Sequence, residues 1–546
     1  MNHKFRKYNW VWVVSFIIGL SAWRYKTLVD YFEISKNLDI FAEVYRKVNQ
    51  TYVNEVLPGE LIQVSIDAML KSLDPYTNYY SEAQAEEFRL HATGSYNGIG
   101  LTLSNREGKI MVTNVFKGFP ADKAGILVGD QIVHVNKQEI TGKKTKDLAP
   151  LLNGSPGTEM VLGVHRRGKD KEFIVMREKV LMKNVTHAQQ VSDDIIYIKL
   201  NGFSFNAAKE VEASIKKHST EKDPEGIVID LRGNGGGLLL EAIKIVNIFI
   251  DKNKLVVNTK GRLEKENITY QTSRTPIDTN VNVAILIDNN SASASEIVAG
   301  SLQDYDRAVV VGQRSFGKGL VQKPISLSYN TQMKITVSKY FLPSGRLIQE
   351  LDYRQSNSSK KNQNRASYRT KNGRTVKSGQ GIMPDILVSN PKAKETLEML
   401  RRGWLIFDFV TQLQKQYGEC KIEFKMNDED YAQFRKFINK KDSLYKSANQ
   451  IRLEKLIAHA EQEKDNLELL KKLRESLEIT KLLDSKKLDD YKPAIKREIE
   501  MEYVKRYWHN KGAVQNALNS DLVLEKTINI LKNDSLYHKT LRQSHD

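Results

Sequence analysis

A serine that follows a buried strand is the first residue of this sequence suited to covalent chemistry. The apolar run from Val283 to Ile287 predicts a buried strand, small residues after it predict a turn, and a helix is expected from Ala294 onward. Ser293 stands at that junction. A hydroxyl at a helix N-terminus is exposed and has backbone amides beside it, which suits a nucleophile that needs oxyanion donors. Ser293 is therefore the candidate nucleophile.

A lysine is the candidate general base for this serine. No histidine occurs in the sequence between His218 and His459, whereas Lys318 lies between two glycines. Flanking glycines let the backbone pack closely and bury the ammonium group. A desolvated lysine can lose its proton near neutral pH and accept one from a serine. A Ser-Lys pair is a known alternative to the Ser-His-Asp triad.

Three motifs, in the same order, resemble the carboxy-terminal processing (tail-specific) serine proteases of peptidase family S41. They are Asp230-Leu231-Arg232-Gly233-Asn234-Gly235-Gly236-Gly237, Ser291-Ala292-Ser293-Ala294-Ser295-Glu296, and Gly317-Lys318-Gly319 with Gln322. The resemblance runs from roughly Leu38 to Val388. It implies Ser293 as nucleophile, Lys318 as general base and Gln322 as the residue that orients the lysine. On a helix, Lys318 and Gln322 would share a face as an i, i+4 pair.

The glycine run is expected to stabilise an oxyanion. An apolar strand precedes it, and a helix is predicted to start near Leu238. The same order of strand, glycine loop and helix occurs in phosphate-binding loops, but the Gly-Lys-Ser/Thr of the Walker motif is absent. Amides of Gly235 and Gly236 are instead expected to form an oxyanion hole with the amide of Ala294. The alternating strands and helices predict an α/β (α+β) core, which the resemblance makes a ClpP/crotonase-like protease core.

The region from Gly94 to Val180 resembles an inserted PDZ domain. Its short predicted strands are separated by Gly, Asp and Asn. Such a module binds a peptide's terminal carboxylate on backbone amides while the peptide adds to a sheet edge. The expected peptide-binding residues are Gly98, Ile99, Gly100 and Leu101. Asn153 stands where the family often has an arginine, so the sequence leaves open whether this domain gates activity.

The N-terminus predicts export. Lys4, Arg6 and Lys7 precede an apolar run from Trp10 to Trp23, a pattern typical of a signal peptide or signal anchor whose basic end stays in the cytoplasm. The run is shorter than the roughly 20 residues of a full span, and cleavage and retention stay open. We expect an extracytoplasmic, periplasmic protein, with inner-membrane anchoring through this segment if it is retained.

Composition limits the other classes of function. The chain has 546 residues and a net charge of +18, but it shows no aromatic-basic recognition module, so nucleic acid is not an expected partner. A single cysteine, Cys420, excludes an intramolecular disulfide. No cofactor or metal is expected. The partners expected are protein or peptide substrates bound through their C-termini, the membrane at the N-terminus and, left open, a second copy in a homo-oligomer.

The predicted organisation has five parts. They are a signal peptide or anchor (1–30), an N-terminal helical segment (31–90), a PDZ domain (91–180), the protease core (181–390) and a C-terminal helical extension (391–546). The predicted function is a serine endopeptidase that cleaves proteins near their C-termini. A catalytically silent PDZ scaffold and a crotonase-like acyl-transfer enzyme are the alternatives.

Overall fold

The computed structural model describes residues 31–82, 84, 94–143, 145–192, 194–219, 223–353, 360–361, 366–388, 391–418, 420–441, 444–463 and 466–542. The apolar run from Trp10 to Trp23 therefore lies outside the described residues. Within these ranges, no helix combines the length and apolar character needed to cross a bilayer. The chain forms two compact units, Met1–Tyr79 and Tyr80–Asp546.

The first unit is helical, as its periodicity predicts. Residues 31–51 form α1 and Pro58–Lys71 form α2. A proline at the first position of α2 has no amide to leave unpaired and a preset φ, so it favours the helix start. After α2, the buried carboxylate of Asp74 accepts the backbone amides of Tyr76 and Thr77, each at 2.8 Å. These hydrogen bonds close the turn that follows α2. The short strand β1 (Asn78–Tyr80) follows.

The PDZ region is a small β-sheet domain with two helices. Strands β3, β4, β5, β7 and β8 lie in that order in one sheet, β6 pairs with β5, and β2 pairs with β9. The apolar side chains of this region form a core of their own. Its elements are β2 (Ser95–Gly98), β3 (Leu101–Arg106), β4 (Lys109–Val115), α3 (Pro120–Lys123), β5 (Gln131–Val135), β6 (Gln138–Glu139), α4 (Thr145–Leu152), β7 (Glu159–Arg166), β8 (Lys169–Met176) and β9 (Glu178–Leu181).

A six-stranded sheet forms the centre of the protease region. Its order is β10-β11-β12-β15-β16-β23, and every neighbouring pair is parallel except β10 with β11. The inner strands are continuous apolar runs because helices cover both faces of the sheet. The elements are β10 (Val185–Ser192), β11 (Ile195–Leu200), α5 (Ala207–His218), β12 (Gly226–Asp230), α6 (Leu239–Phe249), β15 (Asn282–Ile287), α7 (Ala294–Asp304), β16 (Ala308–Gly312) and β23 (Ile386–Leu387).

A second, antiparallel sheet carries the segment after Lys318. Strand β17 pairs with β18, which pairs with β13, which pairs with β14. These strands are β13 (Leu255–Gly261), β14 (Thr269–Gln271), β17 (Leu320–Ser326) and β18 (Gln332–Phe341). Two small hairpins follow, β19 (Leu351–Asp352) with β20 (Lys360–Lys361) and β21 (Ser367–Arg369) with β22 (Thr375–Lys377).

The tail is helical, as its spacing of apolar residues predicts. Its helices are α8 (Pro391–Arg402), α9 (Leu405–Tyr417), α10 (Asp428–Lys440), α11 (Ala448–Gln462), α12 (Leu467–Asp490), α13 (Lys492–Leu518), α14 (Leu522–Leu531) and α15 (Asp534–Thr540). Helix α13 breaks at His509, whose φ is 57°. Leu524, Leu531 and Tyr537 pack on the face of the central sheet opposite α7. Helices α14 and α15 therefore form a layer on the protease region, whereas the tail from Met399 to Val504 has a hydrophobic core of its own.

Candidate active site

Ser293 lies in a strained turn between β15 and α7. Its backbone angles are φ 58° and ψ −113°, a region that residues other than glycine seldom adopt. The residue is half-buried and borders a large cavity. The strain is maintained because the strand before it and the helix after it are both anchored in the core. The junction of strand and helix predicted around this serine is confirmed.

Glu296 is fully buried in the first turn of α7 and connects two segments of the site. One carboxylate oxygen accepts the amides of Ser293 at 2.8 Å and Lys318 at 2.9 Å. The other accepts the amide of Gly317 at 2.7 Å and the hydroxyl of Ser315 at 2.5 Å. Burial raises the pKa of Glu296 to about 7, against the lowering effect of these hydrogen bonds. One carboxylate thus joins the lysine segment to the serine turn.

Tyr340 makes a second connection between the same segments. Its ring is buried, and its hydroxyl lies 3.2 Å from the carbonyl oxygen of Ser293 and also hydrogen-bonds the carbonyl oxygen of Lys318. Glu296 therefore holds the amides, and Tyr340 the carbonyls, of the same two residues. The relative position of the two backbones is fixed from both sides.

Lys318 and Gln322 do not lie on a helix, so the i, i+4 argument for a shared face does not apply. Gly317 has a φ of 89°, Lys318 lies in the loop before β17, and Gln322 is part of β17. The flanking glycines disfavour a helix, and β18 supplies hydrogen-bond partners for an extended chain. Both side chains nevertheless border the same cavity. Gln322 Nε2 donates to Thr336 Oγ1 at 3.2 Å.

Asn234 fastens the glycine loop to the serine turn. It is fully buried, and its Nδ2 donates to the carbonyl of Leu200 at 2.8 Å. Its backbone carbonyl accepts the amide of Ala292 at 3.1 Å and the hydroxyl of Ser295 at 2.8 Å. Its Oδ1 accepts the amide of Gly236 at 2.9 Å. The loop and the turn therefore share one hydrogen-bonded support.

Gly236 is a glycine because the serine turn lies against it. Its φ is 101°, and a Cβ there would lie 2.7 Å from the carbonyl oxygen of Ala292 and 3.0 Å from the amide nitrogen of Ala294. Gly236 was predicted as an oxyanion donor, but its amide already donates to Asn234 Oδ1. Its role is therefore to shape the loop. Gly235 has open space around its Cβ position and, with Ala294, borders the cavity.

A buried charge network supports the start of the glycine loop. Arg232 forms a bidentate ion pair with Asp230 and a second one with Asp521 of the tail, each with a shortest distance of 2.6 Å. Lys199 Nζ lies 3.1 Å from Asp230. Burial acts to raise the pKa of Asp230, but Arg232 and Lys199 hold it well below its usual value. The tail is thereby joined directly to the loop that faces Ser293.

A cavity of about 1590 Å³ brings the predicted site residues together. The predicted catalytic and oxyanion residues that border it are Ser293, Lys318, Gln322, Gly235, Gly236 and Ala294. Phe116 and Phe119 of the PDZ region form part of its wall. Trp508 and His509, at the break in α13, form another part. The site is therefore built from three regions of the chain.

Comparisons with known proteins agree with this architecture. Peptidase family S41 matches residues 194–354, the PDZ domain matches residues 97–176, and the family described as "Probable PDZ-protease, C-terminal helical domain" matches residues 396–531. A carboxy-terminal-processing protease of Bartonella bacilliformis is 33% identical over 362 residues, which is 65% of this chain and 76% of that protein. The chain belongs to peptidase family S41.

One more curated relative and one solved structure are similar to this S41 member. A probable CtpA-like serine protease of Staphylococcus aureus is 33% identical over 358 residues, or 65% of this chain, and the chain spans 66% of that relative's length. Among solved structures, the photosystem II D1 C-terminal processing protease is 24% identical and is matched over 64% of this chain and 92% of its own, with a TM-score of 0.35.

The predicted peptide-binding loop of this S41 member already has a partner within the PDZ domain. Tyr96 lies beside this loop: burial raises the pKa of the Tyr96 hydroxyl to about 12, and the nearby backbone amides of Gly100 and Leu101 act against that rise. A Cβ on Gly98 would lie 2.8 Å from the Tyr96 ring. Ile99 is buried. Of the described residues that border the cavity, none belongs to this loop.

Sequence reasoning missed the residues that hold the site together. Glu296 appeared only as part of a motif, although its position three residues after Ser293 is the spacing of a capping box, whose glutamate reaches back to the N-cap amide. That spacing could have identified it. No comparable sequence signal marks the other residues, because their contacts connect segments that are distant along the chain. They are Tyr340, Asn234, His509 and Asp521.

Proposed function

We propose that this chain is a serine endopeptidase that cleaves protein substrates near their C-termini. Ser293 is the nucleophile, Lys318 the general base and Gln322 the residue that orients the lysine. The observation that carries the proposal is the double connection of Ser293 to Lys318 through Glu296 and Tyr340 at the edge of one cavity. A nucleophile and its base need such fixed relative positions.

In the proposed reaction, neutral Lys318 takes the proton of the Ser293 hydroxyl as its oxygen attacks the scissile carbonyl carbon. The carbonyl π electrons move to oxygen, and the amides of Gly235 and Ala294 stabilise that oxyanion. Collapse of the tetrahedral intermediate breaks the C–N bond, and protonated Lys318 gives its proton to the leaving amine. Water, deprotonated by Lys318, then hydrolyses the acyl-enzyme and regenerates Ser293.

The PDZ domain is proposed to bind substrate C-termini through its Gly98 to Leu101 loop. Phe116 and Phe119, close to that loop in the same domain, border the active-site cavity. A substrate held by its C-terminus could thus present an upstream bond to Ser293.

The N-terminal apolar segment is proposed to place the enzyme outside the cytoplasm. Fusion of residues 1–30 to alkaline phosphatase tests this placement. A fusion without phosphatase activity would contradict the placement, because alkaline phosphatase forms its disulfides, and becomes active, only outside the reducing cytoplasm.

The enzymatic proposal is tested by digesting casein and C-terminally tagged proteins with wild type, Ser293→Ala and Lys318→Ala. Both variants are expected to lose proteolysis with folding unchanged, and the double variant is expected to lose no more, because nucleophile and base act as one unit. Ser476→Ala and Lys455→Ala, exposed helix positions, are the matched controls. Equal proteolysis by wild type and Ser293→Ala would remove Ser293 as the nucleophile, and absence of proteolysis in wild type would favour the silent PDZ scaffold.

A further inference from the structure

The charged side chains that border the active-site cavity share one sign. Among the described lining residues, five are lysines and none is an aspartate or glutamate. The whole chain has 66 acidic residues beside 84 Lys and Arg, so the exclusion of acids is not expected from composition alone. The lysines are Lys117, Lys183, Lys318, Lys334 and Lys511.

These lysines come from different parts of the fold and meet at one space. Lys117 follows β4 of the PDZ domain, Lys183 lies between β9 and β10, Lys334 is in β18, and Lys511 follows the break in α13. Lys117 has Asp122 at 3.7 Å and is 75% exposed. Lys183 and Lys511 are also exposed to solvent. Cationic groups contributed by the PDZ, core and tail regions therefore surround the entrance to Ser293.

Apolar walls strengthen the effect of these charges. Phe119, Phe203, Leu239 and Trp508 are among the residues that line the same cavity. Low-dielectric walls focus the field of like charges into a cleft and raise the local concentration of oppositely charged ligands. A lone terminal carboxylate would neutralise only one cation. Four lysines in addition to Lys318 suit a segment that carries several carboxylates.

We propose that this cavity selects polypeptide segments in which acidic and apolar side chains are interspersed, with Lys183 and Lys511 as specificity-determining residues. This inference rests on the proposed function and names its substrate class. Trp508 and the other apolar walls bind the apolar side chains, and the lysines bind the acidic ones. The break at His509 places Lys511 at the cavity, so the C-terminal helical domain participates directly in selection.

Binding to the Ser293→Ala protein tests the inference without requiring hydrolysis. Fluorescein-labelled peptides of one apolar frame carry three Glu, three Gln or three Lys, and fluorescence anisotropy gives their Kd. The Glu peptide is expected to bind about 5- to 10-fold more tightly than the Gln peptide, and the Lys peptide more weakly than either. The preference should shrink when salt rises from about 50 mM to about 300 mM, because salt screens exposed charges.

Charge reversal assigns the preference to particular residues. Lys183→Glu with Lys511→Glu, in the Ser293→Ala background, should abolish or invert the Glu-over-Gln preference. Lys436→Glu with Lys455→Glu changes net charge equally at exposed helix positions away from the cavity lining and should leave the preference unchanged. The single variants Lys183→Gln and Lys511→Gln, each expected to lower the preference about 2-fold, keep the test valid if the double variant does not fold.

Three outcomes would overturn the inference. They are equal Kd values for the Glu and Gln peptides, an equal change in the control pair, and tighter binding of a single-stranded oligonucleotide of matched charge than of the Glu peptide. The last would identify a nucleic-acid groove. Failure of the proposed function is a separate result, because it would appear as absent proteolysis in wild type while the peptide Kd values remained measurable.

Discussion

The carboxylate of Glu296 accepts a hydrogen bond from the backbone amide of Lys318 at 2.9 Å. The same oxygen accepts the amide of Ser293 at 2.8 Å. A single buried side chain therefore sets the distance between the backbone of the proposed nucleophile and that of the proposed base. We therefore infer that Glu296 is a positioning residue of the site.

Glu296→Gln should lower kcat by about 100-fold with little change in KM, because an amide nitrogen would face backbone donors and shift the base by a fraction of an ångström to an ångström. Kinetics with a peptide substrate measure both constants. Glu500→Gln is the matched control, since Glu500 is also buried and accepts a backbone amide, that of Met426, at 2.8 Å. Normal kcat in Glu296→Gln would show that the connection does not position the base.

The pH dependence of activity should report on Glu296. Its pKa is raised by burial from an ordinary value of 4.5 to about 7, and only its ionised form accepts all four donors. The rate should therefore fall as pH falls through about 7, in addition to any change from Lys318. Rate profiles of wild type and Glu296→Gln test this, because the step near 7 should be missing from the variant.

The free energy of unfolding should depend on pH in the opposite sense to the rate. Because folding raises the pKa of Glu296, the folded chain binds more protons than the unfolded chain between about 4.5 and 7, and the free energy of unfolding should decrease as pH rises across that window. Denaturant unfolding at several pH values measures it, with Glu296→Gln as reference. An identical pH dependence in the variant would exclude Glu296 as its source.

His509 should not be the general base, although it borders the cavity. Its Nδ1 donates to the carbonyl of Val115 at 2.9 Å, and its Nε2 lies 3.4 Å from Asp122, so both ring nitrogens face the PDZ domain. His509→Gln should retain proteolysis and its pH profile. Replacements of His187 and His218 should behave alike. If the pH-rate profile of one of these histidine variants lost the step caused by the general base, a Ser-His mechanism would be favoured instead.

Asp521 should position the glycine loop through Arg232. Asp521→Asn keeps an effective N-cap for α14 but loses the charge of the ion pair. Arg232 keeps its bidentate pair with Asp230, so the cost should be smaller than the roughly 3 to 5 kcal/mol of a buried ion that loses its sole partner. We expect a lower Tm and a lower kcat. Asn533→Ala, which removes the N-cap of α15, is the control that should lower Tm without a matching loss of kcat.

Tyr96→Phe should strengthen binding of peptide C-termini to the PDZ domain. The Tyr96 hydroxyl lies near the amides of Gly100 and Leu101, and a terminal carboxylate bound on those amides would have to displace it. Without the hydroxyl, the Kd of a peptide with a free carboxylate should fall about 3- to 10-fold, while the same peptide amidated at its C-terminus should be unaffected. Equal changes for both peptides would indicate that the amides are not the carboxylate site.

The sequence alone determined the local elements and the chemistry of the site. An uninterrupted apolar run predicts a strand buried on both faces. Strand β15, its junction with α7 and the position of Ser293 at that junction could therefore be predicted from the sequence. Lys318 and the glycine run followed from residue types and from the family resemblance. These properties depend on neighbours in sequence, which are visible as patterns.

The tertiary structure decided which distant segments meet. Gln322 lies in strand β17 and not on a helix with Lys318, because β18 supplies the hydrogen-bond partners of the segment. The contacts of Arg232 with Asp521, and the placement of Lys511 at the cavity, join parts of the chain that are hundreds of positions apart. Such contacts leave no periodicity in the sequence, because packing between elements selects them. The tail, without recognisable chemistry in its sequence, therefore borders the cavity of the candidate active site.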